Sequence, residues 1–320
     1  MCMVKKFLIA VTTVILLLFL LTDPVHATAA SASGLLLWYN SLVPVLLPFF
    51  ILSSLLIAAD SVSMLTAFLY PVLHRLFGCS RNGCFCLTVG FLCGFPTGAR
   101  TAADLIREKR ISLEEGSYLT GFCNNVSPAF LTGFCLTESL RRPDLLRPSL
   151  LIVFGVPVLV GIVTRKRRIF PELPAKEKTS GSQISFKIVD VCIMNGLESI
   201  LKLGCYIILF SMLSALFNRL PLPCPALPAL LSALLEMTNG IQVLTSCASI
   251  PDLLLWPLVL GTAAFGGLSG AAQVQGMTVE SGISLSSYLK KKAVTALLVF
   301  LSALLFSLFI LPQARQALPR

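Results

Sequence analysis

Residues 94–100, "GFPTGAR", interrupt one of the most apolar parts of the chain with two glycines, a proline and an arginine. The apolar run Leu87–Cys93 precedes this stretch, and Leu105 and Ile106 follow it. Glycine frees the backbone, and proline removes an N–H donor and ends a helix. The stretch therefore predicts a break between two helical arms.

Basic residues flank this segment on both sides. Arg75 and Arg81 precede it, and the cluster Arg107–Arg110 follows it. Lys and Arg accumulate on the cytoplasmic side of membrane proteins, so both ends of Asn82–Ile106 are expected there. The segment must then turn back inside the membrane, and "GFPTG" is the point where it can turn. Each arm of about ten residues reaches about 15 Å, near the midplane of the bilayer.

The composition of the whole chain supports a membrane setting. Of its 320 residues, 56% are hydrophobic and 12% are charged, and the mean hydropathy is +0.86. Soluble domains carry roughly 25% charged residues. We therefore predict an all-α polytopic protein that passes several times through the cell membrane and has the lipid bilayer as its partner. The net charge of +10 then reflects cytoplasmic loops such as Arg165–Arg168 rather than binding to nucleic acid.

Apolar length locates the candidate membrane-spanning helices, since about 20 residues are needed for each. The predicted spans are Lys6–Leu21, Gly34–Ala59, Gly116–Leu140, Pro148–Thr164, Phe186–Phe217, Leu254–Val274 and Tyr288–Leu311. The amphipathic segment Ser61–Gly78 is expected to lie in the membrane interface. The basic start, apolar run and "VHA" end of residues 1–27 fit either a cleaved signal peptide or a first transmembrane helix, and in both cases Ala27–Ser33 is expected outside.

A second re-entrant segment is predicted at Pro225–Ile250, which is broken at "EMTNG" (Glu236–Gly240). It has prolines on both flanks and no positive charge, so its ends are expected outside. The two hairpins together give an asymmetric distribution of basic residues. The cytoplasmic set is Lys5, Lys6, Arg75, Arg81, Arg107–Arg110, the loop Arg165–Lys187 and Lys290–Lys292, and the outside set is Arg141, Arg142, Arg147, Arg219, Arg315 and Arg320.

The two halves of the chain resemble each other at one fixed offset. Gly98 and Gly240 lie 142 residues apart, and so do Ser127 in "NNVSPA" and Ser269 in "GGLSGA". Because the two hairpins are expected to enter from opposite sides, we predict an inverted repeat with two re-entrant hairpins and two broken transmembrane helices, as in secondary transporters. The regions are 1–30 (signal-like segment or first helix), 31–169 (first repeat), 170–185 (cytoplasmic linker), 186–311 (second repeat) and 312–320 (tail).

The hairpin tips and broken helices are expected to meet near the midplane and bind a solute, since non-helical backbone at this depth must be buried in protein or line a cavity. The predicted substrate-binding residues are Pro96, Thr97, Gly98, Arg100, Asn124, Asn125, Ser127, Thr238, Asn239, Gly240, Ser269 and Gln273. Packing of small residues between helices is the alternative, and it explains Gly266, Gly267 and Gly270 well. It explains the asparagines and the ionisable groups poorly, because such groups are costly within a membrane.

Two ionisable residues have distinct predicted roles. Arg100 can bind a carboxylate through its fork of N–H groups, or it can form a salt bridge with Asp104 or reach the membrane surface. Glu236 can bind a coupling proton or Na⁺, or it can cap the return helix or pair with Arg100. Arg100 favours a small anionic solute over a nucleoside-like one. No other cofactor and no metal is expected, because Cys79, Cys84 and Cys86 lack paired C-x-x-C spacing.

Four motifs carry a resemblance to a known family. "GFPTGARTAADL", "FCNNVSPAFLTG", "LEMTNGI" and "FGGLSGAAQVQ" resemble motifs of the YlbJ-type sporulation integral membrane proteins. The resemblance covers roughly residues 30–311. It implies membership of the nucleoside-recognition or Gate domain family, with a transport core related to concentrative nucleoside transporters and the FeoB permease. It also implies a place in the membrane around the forespore and passage of dipicolinate, a small aromatic dicarboxylate.

The sequence therefore predicts a membrane transporter or permease for a small organic anion, connected with endospore formation. The alternatives are a nucleoside-type transporter and a non-transporting scaffold of the spore envelope. An enzyme is not expected, because the only histidines are His26 and His74 and no H-E-x-x-H or G-x-S-x-G motif is present. The pattern leaves a homo-oligomer open.

Overall fold

The structure is a computed structural model that describes residues 2–59, 66–165, 168–173, 186–219, 224 and 226–309. Several predicted features lie outside these residues: positions 61–65 of the interfacial segment, the linker beyond residue 173, and the tail 312–320 with Arg315 and Arg320.

The described residues form helices and connecting segments, without strands. The α-helices are α1 (Cys2–Thr22), α2 (Pro24–Leu37), α3 (Val43–Ala58), α4 (Tyr70–Phe77), α5 (Arg81–Cys93), α6 (Thr97–Arg107), α7 (Leu113–Cys123), α8 (Leu146–Thr164), α9 (Phe186–Asn218), α10 (Ala226–Leu235), α11 (Met237–Ser246), α12 (Asp252–Phe265), α13 (Gly267–Thr278) and α14 (Leu285–Phe309). Two π-helical segments lie at Trp38–Leu42 and Phe130–Ser139, and two 3₁₀ turns at Pro143–Leu145 and Val279–Ser281.

Four helical stretches are long and apolar enough to cross a membrane: Pro143–Thr164, Phe186–Asn218, Asp252–Ser281 and Leu285–Phe309. Two bent helix pairs raise the number to six if each pair is one span. With their many exposed leucines and valines, these helices suit contact with lipid. The chain is an all-α, multi-pass membrane protein, as the composition predicts.

The N-terminal helices begin earlier than apolar length predicts. The chain bends by 115° at Asp23, and α2 begins at Pro24 rather than at Gly34. Asp23 accepts a hydrogen bond from the backbone N–H of His26 and forms an ion pair with Arg219. An Asp cap followed by Pro is a helix-start signal that a search for apolar length does not register.

The first predicted hairpin is present. Helix α5 ends at Cys93, Gly94 adopts a φ of +80°, and α6 begins at Thr97. A methyl group on Gly98 would lie 3.0 Å from the Cα of Gly90. Eight residues of continuous helix would span about 12 Å, so the chain has folded back on itself. The glycines are required here because the two arms are in backbone contact.

The second hairpin has the same construction. Glu236 is extended between α10 and α11, with φ −141° and ψ 121°. A methyl group on Gly240 would overlap the backbone of Ala233 and lie 2.9 Å from the carbonyl carbon of Ser232. The return helix α11 therefore crosses the first arm α10 at Gly240. This glycine lies 142 residues after Gly98, where the arms of the first hairpin meet.

Both predicted helix breaks are also present. Helix α7 ends at Cys123, residues 124–127 are non-helical, and the helix resumes at Pro128. Between α12 and α13, Gly266 and Gly267 adopt φ values of +81° and +71°, which favour glycine. The second interruption changes direction less, since Asp252–Ser281 still counts as one long candidate span.

Helix ends and contacts support the predicted duplication. The helices that end at Cys93 and Cys123 correspond, 142 residues later, to those that end at Leu235 and Phe265. The contacts between the halves are reciprocal: α6 packs against α13, and α11 packs against the π-helical segment Phe130–Ser139. A two-fold relation between the halves produces such an exchange. The inverted orientation of the repeat stays a prediction.

We predict that Gly240→Ala weakens the second hairpin. The added methyl group must push apart two backbones, so the free energy of unfolding should fall by about 1–3 kcal/mol. The measurement is reversible unfolding of the purified protein in detergent. Gly155→Ala in α8 is the matched control, since a methyl group there meets no atom within 4 Å. Equal stability of the two variants would contradict the close backbone contact.

Candidate functional site

A central cavity of about 320 Å³ lies where the interrupted segments converge. Phe95 and Pro96 contribute from the first hairpin, and Ser127 from the first broken helix. The second hairpin contributes Glu236 and the adjoining residues Met237 and Thr238, and α13 contributes Gln273. The cavity is therefore formed by both halves of the chain.

The remaining wall of the cavity is largely apolar. It includes Leu46 of α3, Leu203 of α9, and the rings of Phe130 and Phe134 from the π-helical segment. A mostly apolar lining with a few polar groups is the usual character of a small-molecule site. The aromatic rings suit a flat solute. The polar groups are Ser127, Glu236 and Thr238 at or next to the backbone breaks, Gln273 on α13 and Glu138 on the π-helical segment.

The first break is held by buried hydrogen bonds. The Asn124 Oδ1 accepts from the backbone N–H of Ala99 at 3.3 Å, and the Asn124 Nδ2 donates to the Tyr288 hydroxyl at 2.9 Å. The backbone N–H of Phe95 donates to the carbonyl oxygen of Asn125 at 2.5 Å. These contacts join the first hairpin, the first broken helix and α14 at one point. Asn124 and Asn125 therefore support the cavity from behind and do not line it.

A buried lysine completes this network. The Lys292 Nζ donates to the carbonyl oxygen of Asn124 at 3.0 Å and to the Asn125 Oδ1 at 3.3 Å. The charge pattern places Lys292 with the basic residues of the cytoplasmic side. Lys290 is indeed exposed, but Lys292 is buried. The signal for burial was its spacing from Tyr288, Thr295 and Val299, which form one buried face of α14.

The tip of the second hairpin is capped by Glu236. Its two carboxylate oxygens accept from the backbone N–H of Thr238 at 3.1 Å and of Asn239 at 2.8 Å, and the Thr238 hydroxyl lies 2.6 Å away. The structure thus shows the helix-capping role that was one of the predicted alternatives. Among the described residues, Glu236 forms no ion pair with Arg100. Its role in ion coupling stays a prediction.

Arg100 lies outside the lining of the central cavity. It lines a second cavity of about 480 Å³ with Ser54, Asp104 and Asn195. The Arg100 Nε lies 3.6 Å from the Asp104 carboxylate, which matches the salt-bridge alternative. Binding of a carboxylate ligand by Arg100 stays a prediction.

The predicted site residues divide into two groups. Those that line the central cavity are Pro96, Ser127, Thr238, Gln273 and Glu236. Those buried away from its lining are Thr97, Gly98, Asn124, Asn125, Gly240 and Ser269, while Asn239 is half-buried and bonds to Ser211. Ser269 supports the lining indirectly, because its hydroxyl accepts from the Gln273 side chain at 3.1 Å.

Comparisons with known proteins give one curated relative. The chain is 26% identical over 321 residues to the sporulation integral membrane protein YlbJ of Bacillus subtilis (strain 168), covering 88% of this chain and 77% of the relative. No family model and no solved structure matches the chain. The similarity supports the resemblance to YlbJ-type proteins. The relation to the nucleoside-recognition domain, the concentrative nucleoside transporters and the FeoB permease stays a prediction.

We predict that Asn124→Ala destabilises the first break. The substitution leaves the Ala99 N–H and the Tyr288 hydroxyl buried without their partner, which should lower the free energy of unfolding by about 1–3 kcal/mol. Unfolding in detergent measures the change. Asn82→Ala is the matched control, because Asn82 is half-buried and makes one long bond of 3.4 Å.

A double-mutant cycle then isolates the contact. If the Asn124 to Tyr288 bond is as described, Asn124→Ala and Tyr288→Phe should be non-additive by about 0.5 kcal/mol or more. Additive effects would show that the two side chains do not interact.

Proposed function

We propose that this protein is a membrane permease that moves a small organic anion through the cavity between its two hairpins. The observation that carries the proposal is the central cavity itself, which touches both hairpin tips and the first broken helix. Unwound backbone at membrane depth is characteristic of solute and ion sites in transporters. The reciprocal contacts of the two halves support the same architecture.

A scaffold for the spore envelope is a weaker alternative. A scaffold needs only packed helices, so its centre should be filled with apolar side chains. Here the centre is hollow, and it presents Ser127, Glu236, Thr238 and Gln273. Polar side chains facing an intramembrane cavity are costly unless they serve a solute or ion.

Two observations support an anionic substrate. Lys292 places a buried amine just behind the first break, and within the described residues no acidic side chain pairs with it. Helices α6 and α13 also begin at the breaks, and helix N-termini favour anions. The rings of Phe95, Phe130 and Phe134 add flat apolar surface. An aromatic carboxylate, such as the dipicolinate that the family resemblance implies, matches this combination.

A nucleoside is the second candidate substrate. The described lining holds two carboxylates, Glu138 and Glu236, and no Lys or Arg. This lining suits a neutral solute that forms hydrogen bonds and presents a flat ring. Glu236 already neutralises the N-terminus of α11, so this helix end attracts an anion less. Competition between the two solutes for uptake distinguishes an anionic substrate from a nucleoside.

We further propose that the protein acts in sporulation, in the membrane around the forespore. The name of the Bacillus subtilis relative supports the connection with sporulation. The location around the forespore rests on the family resemblance alone.

We predict that Gly133→Leu blocks transport. Gly133 lines the central cavity, and the space beside it is open, so a leucine side chain can enter the cavity without a clash. Uptake of labelled dipicolinate into proteoliposomes should fall at least about tenfold, with labelled nucleosides as the competing test. Gly155→Leu is the matched control, since it too has open space but lies away from the cavity. Equal uptake by both variants would contradict a path through this cavity, and uptake of nucleosides alone would favour the second substrate.

We predict that Glu236→Gln uncouples transport from an ion gradient. The amide keeps the shape of the cap and one acceptor oxygen, but it cannot exchange a proton and binds Na⁺ poorly. Uptake in the variant should lose its dependence on an imposed pH or Na⁺ gradient. Glu138→Gln is the control, because Glu138 lines the same cavity without capping a helix. If Glu236→Gln retains the gradient dependence of the wild type, Glu236 is only a helix cap.

A further inference from the structure

The second cavity, of about 480 Å³, lies between α3, α6 and α9. Three basic residues line it (Arg100, Arg107 and Lys187), together with two acidic ones (Asp104 and Glu108). The lining thus carries a net positive charge. The central cavity has no Lys or Arg in its described lining, so the two cavities differ in electrostatic character.

The two cavities lie in line along the same pair of helices. On α3, Leu46 lines the central cavity and Ser54 lines the second cavity. On α9, the corresponding residues are Leu203 and Asn195. On each helix the two lining residues are eight residues apart, which is about 12 Å along the helix axis. Both helices therefore give the same distance between the two cavities.

Arg100 and Phe50 lie between the cavities. Phe50 is fully buried and sits on α3 midway between Leu46 and Ser54. The guanidinium carbon of Arg100 lies 4.6 Å from the centroid of the Phe50 ring, within the range of a cation–π interaction. Phe50 therefore lies on α3 between the linings of the two cavities, with the Arg100 guanidinium against its ring.

The Arg100 guanidinium has few strong partners for a buried cation. Its side chain is 8% exposed. Its Nη2 donates to the Asn195 carbonyl oxygen at 3.2 Å and to the Ser54 hydroxyl at 3.5 Å, and its Nη1 has no hydrogen-bond partner among the described residues. The Asp104 carboxylate, at 3.6 Å, also pairs with Arg107. A free carboxylate can supply the bidentate pairing that Arg100 lacks.

We infer that the second cavity is a binding site for a small carboxylate, anchored by Arg100. Binding of the carboxylate draws Arg100 away from Phe50 and opens the path to the central cavity. The binding site stands on the geometry around Arg100 alone. The onward movement of the anion rests on the proposed transport function.

The test is calorimetric binding of dipicolinate to the full-length protein in detergent. Arg100→Gln should weaken binding about tenfold or more, because a charge-assisted hydrogen-bonded pair is lost. Lys202→Gln on α9 is the matched control, since Lys202 is exposed, pairs with Glu198 and does not line the second cavity. The neutral diamide of dipicolinate, which has the same shape, should not bind. Equal affinity in Arg100→Gln and Lys202→Gln would overturn the inference.

Two further variants keep the inference testable if Arg100→Gln does not fold. Asp104→Asn removes the carboxylate that competes for Arg100, so dipicolinate should bind several-fold more tightly; unchanged or weaker binding would overturn the inference. Gly133→Leu fills the central cavity and should leave binding intact while uptake is lost. If Gly133→Leu abolishes binding as well, the anion binds only in the central cavity. If binding follows these expectations but wild-type vesicles take up no anion, the binding site stands and the transport function fails.

Discussion

Peptide groups within a membrane must find hydrogen-bond partners in the protein, because the lipid offers none. An unbroken helix meets this requirement by itself, but four segments of this chain are interrupted. For three of them, the described contacts show the hydrogen-bond partners. The N–H of Phe95 donates to the carbonyl oxygen of Asn125, and Lys292 donates to the carbonyl oxygen of Asn124. The first N–H groups of α11 donate to the carboxylate of Glu236. The hollow centre of the molecule exists because these supports hold the broken ends in place.

The two halves meet this requirement with different chemistry. The first broken helix relies on asparagine side chains and a buried lysine from α14. The corresponding break in the second half relies on the positive φ of Gly266 and Gly267, and the second hairpin on a carboxylate cap. A duplicated scaffold has therefore acquired one break with a buried lysine amine beside it and another with a carboxyl group beside it.

The sequence predicts the breaks well because their causes are local. Proline and glycine end helices through their own geometry, so Gly94, Pro96 and Gly266 mark interruptions wherever the helices pack. Gly98 and Gly240 lie inside the return helices, where they let the two arms of each hairpin touch. The direction of a long side chain depends on its tertiary neighbours. The sequence therefore did not predict where the side chains of Arg100 and Lys292 lie. Arg100 lies in the predicted hairpin, but it turns toward α3 and α9 instead of the central cavity. Lys292 looks like part of an exposed basic cluster until α14 is packed against α7. The aromatic lining from Phe130 and Phe134 lies on a π-helical segment that no local motif predicts.

Phe95 links the two halves mechanically. Its N–H is bound to the first broken helix, and its ring lies against Gly270 of α13, where a methyl group would come within 2.7 Å of the ring. Because the ring and Gly270 are so close, α13 cannot move toward the first hairpin without displacing Phe95 and the backbone of Asn125, to which Phe95 is hydrogen-bonded. A displacement of α13 toward the first hairpin therefore also displaces Phe95 and the first broken helix. Through this contact, the two sides of the cavity are coupled.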